Sequence, residues 1–112
     1  MRVYLPATAA DLSAPQIGPR TAYAVTPALA RALPDEDEEA LEASAGLCAA
    51  DASLTLLAAP GAEALADRRI VIAADVGTAQ VAEPEAGGDA LPGTVRVRAP
   101  VAWEAVAALL VD

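Results

Sequence analysis

The stretch RRIVIAADV, residues 68–76, constrains the fold more than any other part of this chain. From Ile70 to Val76 it is apolar except for Asp75, and it is rich in Ile and Val. A nearly continuous apolar run of this length is typical of a strand that is buried on both faces of a sheet. We therefore predict that Arg68–Val76 is a central strand and that amphipathic helices shield it from water.

Three other segments have the pattern of strands. In the last of them Val95 and Val97 alternate with Arg96 and Arg98, which predicts one buried face and one solvated basic face. A proline ends or directly follows each segment, as expected where pairing stops. The three segments are RVYLP (Arg2–Pro6), TAYAVT (Thr21–Thr26) and TVRVRA (Thr94–Ala99).

Helices are predicted in the remaining apolar stretches. A possible Thr8 cap allows one or two helical turns, and Thr26 before Pro27 starts a short helix that stops near Pro34. A long helix follows and ends near Ala59; its inward stripe is Leu41, Ala45, Cys48, Ala52 and Leu56, widened by Leu47, Leu54 and Leu57. The last helix runs from Val101 to about Leu109, with Ala102, Val106 and Leu109 facing inward, and LLVD is read as a final short strand.

This order of elements predicts an α+β fold in a single domain, residues 1–112. Without the first strand the order is β-α-β-β-α-β, the order of a ferredoxin-like sandwich. We therefore expect a mostly antiparallel sheet with the helices on one face and an extra N-terminal strand.

Composition limits the compartment and the partners. The net charge is −9, and an acidic chain repels phosphate backbones, so nucleic acid is not expected as a partner. The single Cys48 excludes an internal disulfide, and no signal sequence or membrane span is recognised. These features predict a cytoplasmic protein with no membrane partner. All seven basic residues are Arg, a bias that a GC-rich genome produces.

The five acids Asp35–Glu39 allow three interpretations. We interpret them as the start of a helix, because acids in the first turn interact favourably with the helix dipole. A docking surface for a basic protein is the alternative. A calcium loop needs spaced oxygen ligands and a glycine at the bend, and this run has neither.

Catalytic and cofactor motifs are sparse in this sequence. With no His in the chain, Cys–His and Ser–His–Asp arrangements are impossible, and no glycine-rich phosphate motif is present, so we expect no cofactor and no metal. Cys48 is expected to act as a small apolar residue, and Trp103 to pack at the core edge or to lie at an interface. The candidate ligand-binding residues are Asp75, at the carboxyl end of its strand, and Arg96 and Arg98 on the basic sheet face.

Five stretches of the sequence carry a similarity to other proteins: MRVYLPAT, AYAVTPALARAL, LPDEDEEALEASA, RRIVIAADV and VRVRAPVAWEAVAALLVD. Through them the chain resembles, over almost its whole length, a family of small actinobacterial proteins of unknown function. The resemblance implies a small, acidic cytoplasmic protein to which no activity, cofactor or catalytic residue is assigned.

Three hypotheses for function follow. The first is a non-catalytic interaction or regulatory module, with a protein partner or a second copy of itself bound through the sheet face or an edge strand. The alternative is a binder of small anionic ligands, or a minor enzyme, that uses Arg96, Arg98 and Asp75. A protein mimic of nucleic acid is the third, and it needs the acids to lie along one face.

Overall fold

A computed structural model describes residues 1–57, 69–84 and 90–111 of the chain. The strands are β1 (Arg2–Ala7), β2 (Arg20–Tyr23), β3 (Ile70–Asp75), β4 (Val81–Ala82), β5 (Thr94–Val97) and β6 (Val106–Val111). The helices are α1 (Ala9–Leu12), α2 (Pro27–Ala32) and α3 (Glu38–Leu57), and 3₁₀ turns cover Thr78–Gln80 and Trp103–Ala105. None of the described helices is long and apolar enough to cross a membrane.

The strands form one six-stranded sheet in the order β4-β5-β2-β1-β3-β6, and every neighbouring pair is antiparallel. β1 and β3 pair over their full lengths, from Arg2 opposite Asp75 to Ala7 opposite Ile70. β2 lies on the other side of β1, with Tyr23 opposite Tyr4. Because β2 and β3 both run antiparallel to β1, they are parallel to each other, and α2 and α3 connect them.

The central position of β3 is confirmed, since Ile70–Asp75 is an inner strand whose first five residues are buried. The predicted shielding by two amphipathic helices on one face is wrong: α3 covers one face of the sheet, and α1 with irregular segments covers the other. The α+β class and the antiparallel sheet are confirmed as well. The ferredoxin-like topology is not, because the strand order differs. β1, which that prediction set aside as an addition, lies between β2 and β3 and occupies the middle of the sheet.

One face of the sheet carries the main apolar core. Two segments outside the sheet cover this face, residues 8–17 and 98–105. Ile17 and Val101 join them by exchanging backbone hydrogen bonds of 2.9 and 2.8 Å, and Trp103 Nε1 donates to the carbonyl of Ala14 at 2.8 Å. The largest fully buried side chains of this core are Val3, Leu5, Ile17, Ile72 and Val97.

The opposite face is covered by α3, whose start agrees with the prediction for the acidic run. α3 begins at Glu38, and the Asp37 carboxylate accepts a hydrogen bond from the backbone N–H of Ala40 at 2.9 Å. Glu38 and Glu39 then lie in the first turn, where the helix dipole favours negative charge. The predicted end near Ala59 lies outside the described residues, as do Arg68 and Asp112.

The buried stripe of α3 is narrower than the predicted one. Leu41, Ala45, Ala49 and Ser53 are buried at a spacing of four, whereas Leu47, Leu54 and Leu56, which were predicted to face inward, are 66, 46 and 40% exposed. Three of the four buried residues are small, so the helix backbone can approach the sheet closely. The consequence is a narrow contact over β1 and β3 that does not extend to the edge of the sheet.

Ser53 ties α3 to the two inner strands. Its hydroxyl is fully buried; it donates to the carbonyl of Ala7 at 2.8 Å and accepts from the backbone N–H of Ile70 at 3.1 Å. Ala7 ends β1 and Ile70 begins β3, so one side chain satisfies a buried acceptor and a buried donor at the place where the two strands meet the helix.

The predicted helix from Val101 to Leu109 is wrong. Residues 103–105 form a single 3₁₀ turn, and Val106–Val111 form β6 along the outer edge of β3. Two of the residues predicted to face inward, Ala102 and Leu109, are exposed. A short apolar run suits a strand as well as a helix, and here pairing with β3 satisfies the outer backbone groups of that strand.

Replacing Ser53 with Ala is expected to destabilise the fold by about 1–3 kcal/mol, because the change removes two buried hydrogen bonds between α3 and the inner strands, each contributing about 0.5–1.5 kcal/mol. The matched control is Ser44→Ala on the same helix, where the side chain is half-buried. Chemical unfolding followed by the fluorescence of Trp103 measures both variants. Equal stabilities for the two variants would contradict the role given to Ser53.

Candidate functional site

The structure places Asp75 at the end of β3, as predicted, in an ion pair with Arg2. Arg2 Nε and Nη2 donate to the two carboxylate oxygens at 2.7 and 3.0 Å. These hydrogen bonds hold the pKa of Asp75 below its ordinary value. The pair lies in the open, with the Asp75 side chain 57% exposed, and the carboxylate is already engaged within the chain.

Arg96 and Arg98 are exposed on the far side of the sheet, beyond β1 and β2. Arg98 Nη2 donates to the carbonyl of Ala79 at 2.8 Å, and Arg96 lies opposite Thr21. Three strand spacings and about four residues of offset separate Arg96 from Asp75, a distance of roughly 20 Å. The register therefore does not bring the three predicted residues into one pocket, and ligand binding by any of them stays a prediction.

A groove of about 710 Å³ lies between α3 and β6, and we call it the α3–β6 groove. It exists because α3 packs over β1 and β3 and stops short of the outer strand. Its polar groups are Tyr4 and Glu42 towards one end and Arg69 towards the other; its apolar lining includes Gly46, Leu47, Val71, Leu109, Leu110 and Val111.

Tyr4 and Glu42 form the polar contact of the groove. The phenol donates to Glu42 Oε2 at 2.5 Å, linking β1 to the second turn of α3. Burial raises the pKa of Tyr4 to about 12, and the hydrogen bond to Glu42 acts in the same direction. The phenol is therefore protonated at neutral pH and acts as a hydrogen-bond donor that anchors the helix.

The outer wall of the groove is an uncovered edge strand. Leu109, Leu110 and Val111 are 45, 50 and 49% exposed, and Leu47 on α3 is 66% exposed. No charged residue occurs from Val106 to Val111. Natural edge strands are usually protected by charges, prolines or shortness. The opposite edge strand, β4, has only two residues, whereas β6 has six and none of these protections.

The environments of Cys48 and Trp103 are those expected of structural residues. Burial raises the pKa of the Cys48 thiol, with a further contribution from the charge of Asp51, so this half-buried thiol is protonated at neutral pH. Trp103 packs at the edge of the core and donates to Ala14, in agreement with the first of its two expected positions. Among the described residues, no cluster of three His, Cys, Asp or Glu side chains is placed to hold a metal ion.

The groove was not predicted, because the last apolar stretch was interpreted as a helix from Val101 to about Leu109. The only signal for a strand was LLVD at the end of the sequence, and it covers half of β6. The partnership of Tyr4 and Glu42 joins residues 38 positions apart, and no local pattern indicates it.

Comparison with known proteins gives one family. The model of a family of unknown function, DUF6912, matches residues 1–112. The chain belongs to this family. No curated protein and no solved structure matches it.

A second ion pair makes a prediction for acid stability. Arg20 Nη2 and Nη1 donate to the Asp11 carboxylate at 2.8 and 3.0 Å, and the backbone N–H of Thr8 donates to it at 2.9 Å. Burial of Asp11 opposes its ionisation, but these hydrogen bonds outweigh burial and leave its pKa below the ordinary value. The ionised form therefore stabilises the fold above the unfolded pKa of about 3.9, and this contribution disappears as the pH falls through the folded pKa.

We expect Asp11→Asn to flatten the loss of stability between about pH 5 and pH 2. Urea unfolding at a series of pH values measures the free energy of unfolding of this variant. The control for the removal of one carboxylate is Asp51→Asn, because Asp51 is exposed. A pH dependence that is unchanged in Asp11→Asn relative to Asp51→Asn would show that the pair with Arg20 does not stabilise the fold.

Proposed function

We propose that the chain is a non-catalytic protein-interaction module that binds an extended segment of a partner along the outer edge of β6. The observation that carries this proposal is the exposure of a six-residue, uncharged edge strand beside an apolar groove. In this mode of recognition, main-chain hydrogen bonds supply affinity and the flanking side-chain pockets supply specificity.

The energetics favour occupancy of this edge. Fully burying a Leu or Val side chain contributes about 1.5–3 kcal/mol, so covering the exposed half of Leu109, Leu110 and Val111 contributes roughly 1 kcal/mol each. An added strand also pairs the outward N–H and C=O groups of β6. The cost of association is several kcal/mol, so the expected binding is weak to moderate unless the partner also fills the groove against Leu47.

The chemistry of the groove supports binding in preference to catalysis. Its phenol is held by Glu42 with a pKa of about 12, far from the value that suits acid–base work at neutral pH. The chain has no His that could serve as a base. The polar groups of the groove are thus suited to orienting a bound segment.

Two finer points are also proposals. We propose that the chain comes from an actinobacterium, on the support of its Arg-only basic residues and of the resemblance described above. We propose that it acts in the cytoplasm, on the support of its single cysteine, which excludes the internal disulfides that are common in small secreted domains.

The test uses a synthetic peptide with the sequence EAVAALLV, residues 104–111, as an extended probe whose β6 portion, residues 106–111, has no charged side chain. Titrated into the dilute protein, it is expected to protect the outward-facing amides of β6 from hydrogen exchange and to shift the NMR signals of Leu47 and Leu109. The control is the same peptide with Pro in place of the alanine that corresponds to Ala107, whose N–H faces β6 when the two copies of Leu109 lie opposite each other, because proline removes a ladder donor. Equal binding of both peptides, or protection confined to other strands, would contradict strand addition at β6.

A further inference from the structure

We infer that the occupant of the β6 edge is a second copy of this chain, paired antiparallel about a two-fold axis that passes through Leu109. This inference rests on the proposed function and names the partner of the same site. A symmetric edge-to-edge contact joins the two sheets into one continuous sheet, with the same strand contributed by each protomer.

The faces of the sheet restrict the register. An axis perpendicular to the sheet keeps the α3 face of one copy continuous with the α3 face of the other. Side chains that lie opposite one another must then point to the same side, because successive residues alternate. Ala108 and Leu110 share the α3 face, opposite Ala73 and Val71, whereas Leu109 lies opposite Ile72 on the other face. The axis must therefore pass through a residue position and not between two of them.

Three such centres are available, and Leu109 fits best. A centre at Ala108 would set two alanines opposite each other at the axis, where they bury little apolar surface. A centre at Leu110 would bring the charged Asp112 opposite Ala108. A centre at Leu109 pairs only apolar residues from Ala107 to Val111. It also places each Ala108 opposite a Leu110, so that a small side chain faces a large one beside the groove.

The charges of the groove agree with an antiparallel copy. Glu42 lies towards the Val106 end of β6 and Arg69 towards the Val111 end, because α3 runs from Tyr4 to Ser53 along β1. Two-fold pairing reverses one copy, so the acidic end of each groove and the basic end of the other lie at the same end of the joined sheet, three strand spacings or ~14 Å apart. Val106–Val111 itself adds no charge, so strand pairing does not oppose like charges in spite of the net charge of −9.

That net charge makes the identity of the partner measurable. Two copies that each carry −9 repel at long range, and salt screens this repulsion, so self-association is expected to strengthen as ionic strength rises. A basic partner would show the opposite dependence, because salt would screen an attraction.

Sedimentation of the full chain over a range of concentrations tests the inference. We expect a reversible monomer–dimer equilibrium that Leu109→Glu weakens by more than about tenfold, because it sets two like charges opposite each other at the axis. The matched control is Leu54→Glu, since Leu54 is 46% exposed on α3, nearly equal to the 45% of Leu109, and does not line the groove. Circular dichroism and the fluorescence of Trp103 check that both variants are folded.

Disulfide trapping tests the register with small side chains and does not depend on the glutamate variant. In a Cys48→Ser background, Leu109→Cys is expected to cross-link two copies readily, because its Cα atoms face each other at about 4.5–5.5 Å. Leu110→Cys is expected to cross-link poorly. Position 110 of one copy lies opposite position 108 of the other, so the two Cα atoms of position 110 are farther apart than the ~7 Å that a disulfide can bridge. Cross-linking that is strongest at Leu110 would overturn the Leu109 axis.

The outcomes separate this inference from the proposed function. A chain that stays monomeric at every concentration and does not cross-link at position 109, yet gains β6 protection from the peptide, overturns self-association and leaves strand addition standing with another partner. A dimer that Leu109→Glu and Leu54→Glu affect equally would place the interface elsewhere and overturn the inference. Failure of both the peptide and the dimer would remove both proposals.

Discussion

The buried hydroxyl of Ser53 is the contact on which the placement of α3 depends. It holds the helix where β1 ends and β3 begins, and it hydrogen-bonds a buried backbone acceptor and a buried backbone donor. Tyr4 and Glu42 fix the other end of the same helix. With both ends held over the two inner strands, α3 cannot also lie over β6, and the uncovered edge follows from this geometry.

The two faces of the sheet are closed by different means. α3 covers one face with a narrow stripe of mostly small residues, whereas the other face is closed by two irregular segments joined at Ile17 and Val101. The second arrangement buries the larger side chains and reaches as far as Val106. β6 therefore packs against the core only at Val106, and Leu109, Leu110 and Val111 stay about half exposed. The gap between these residues and α3 forms the α3–β6 groove.

Local sequence patterns predicted the elements whose surroundings are uniform. The Ile and Val run of β3 is buried on both faces, and the alternation of Val95, Arg96 and Val97 in β5 matches one buried and one solvated side. The start of α3 could be predicted from the sequence because its acids interact with the dipole of their own helix. In each of these cases the determining interactions are local or are averaged over a whole face.

The pairing of strands that are distant in the sequence could not be predicted from local patterns. Val101–Leu109 has the composition of a short helix, and only the presence of β3 as a partner makes its second half a strand. The central position of β1 follows from its pairing with residues about 70 positions away. The candidate site has the same character: Asp75 was predicted at its strand end, but its pairing with Arg2, and its separation from Arg96, depend on the strand order.

The central claim is that Val106–Val111 is a strand on the outer edge of β3 and leaves its own outer edge free in the monomer. NMR of the dilute protein tests it most directly, through nuclear Overhauser effects between the backbone protons of Ile72 and Leu109. The account predicts strong cross-strand contacts there, with protected and rapidly exchanging amides alternating along β6. Sequential amide–amide contacts running from Val101 through Leu109, the pattern of a helix, would contradict it.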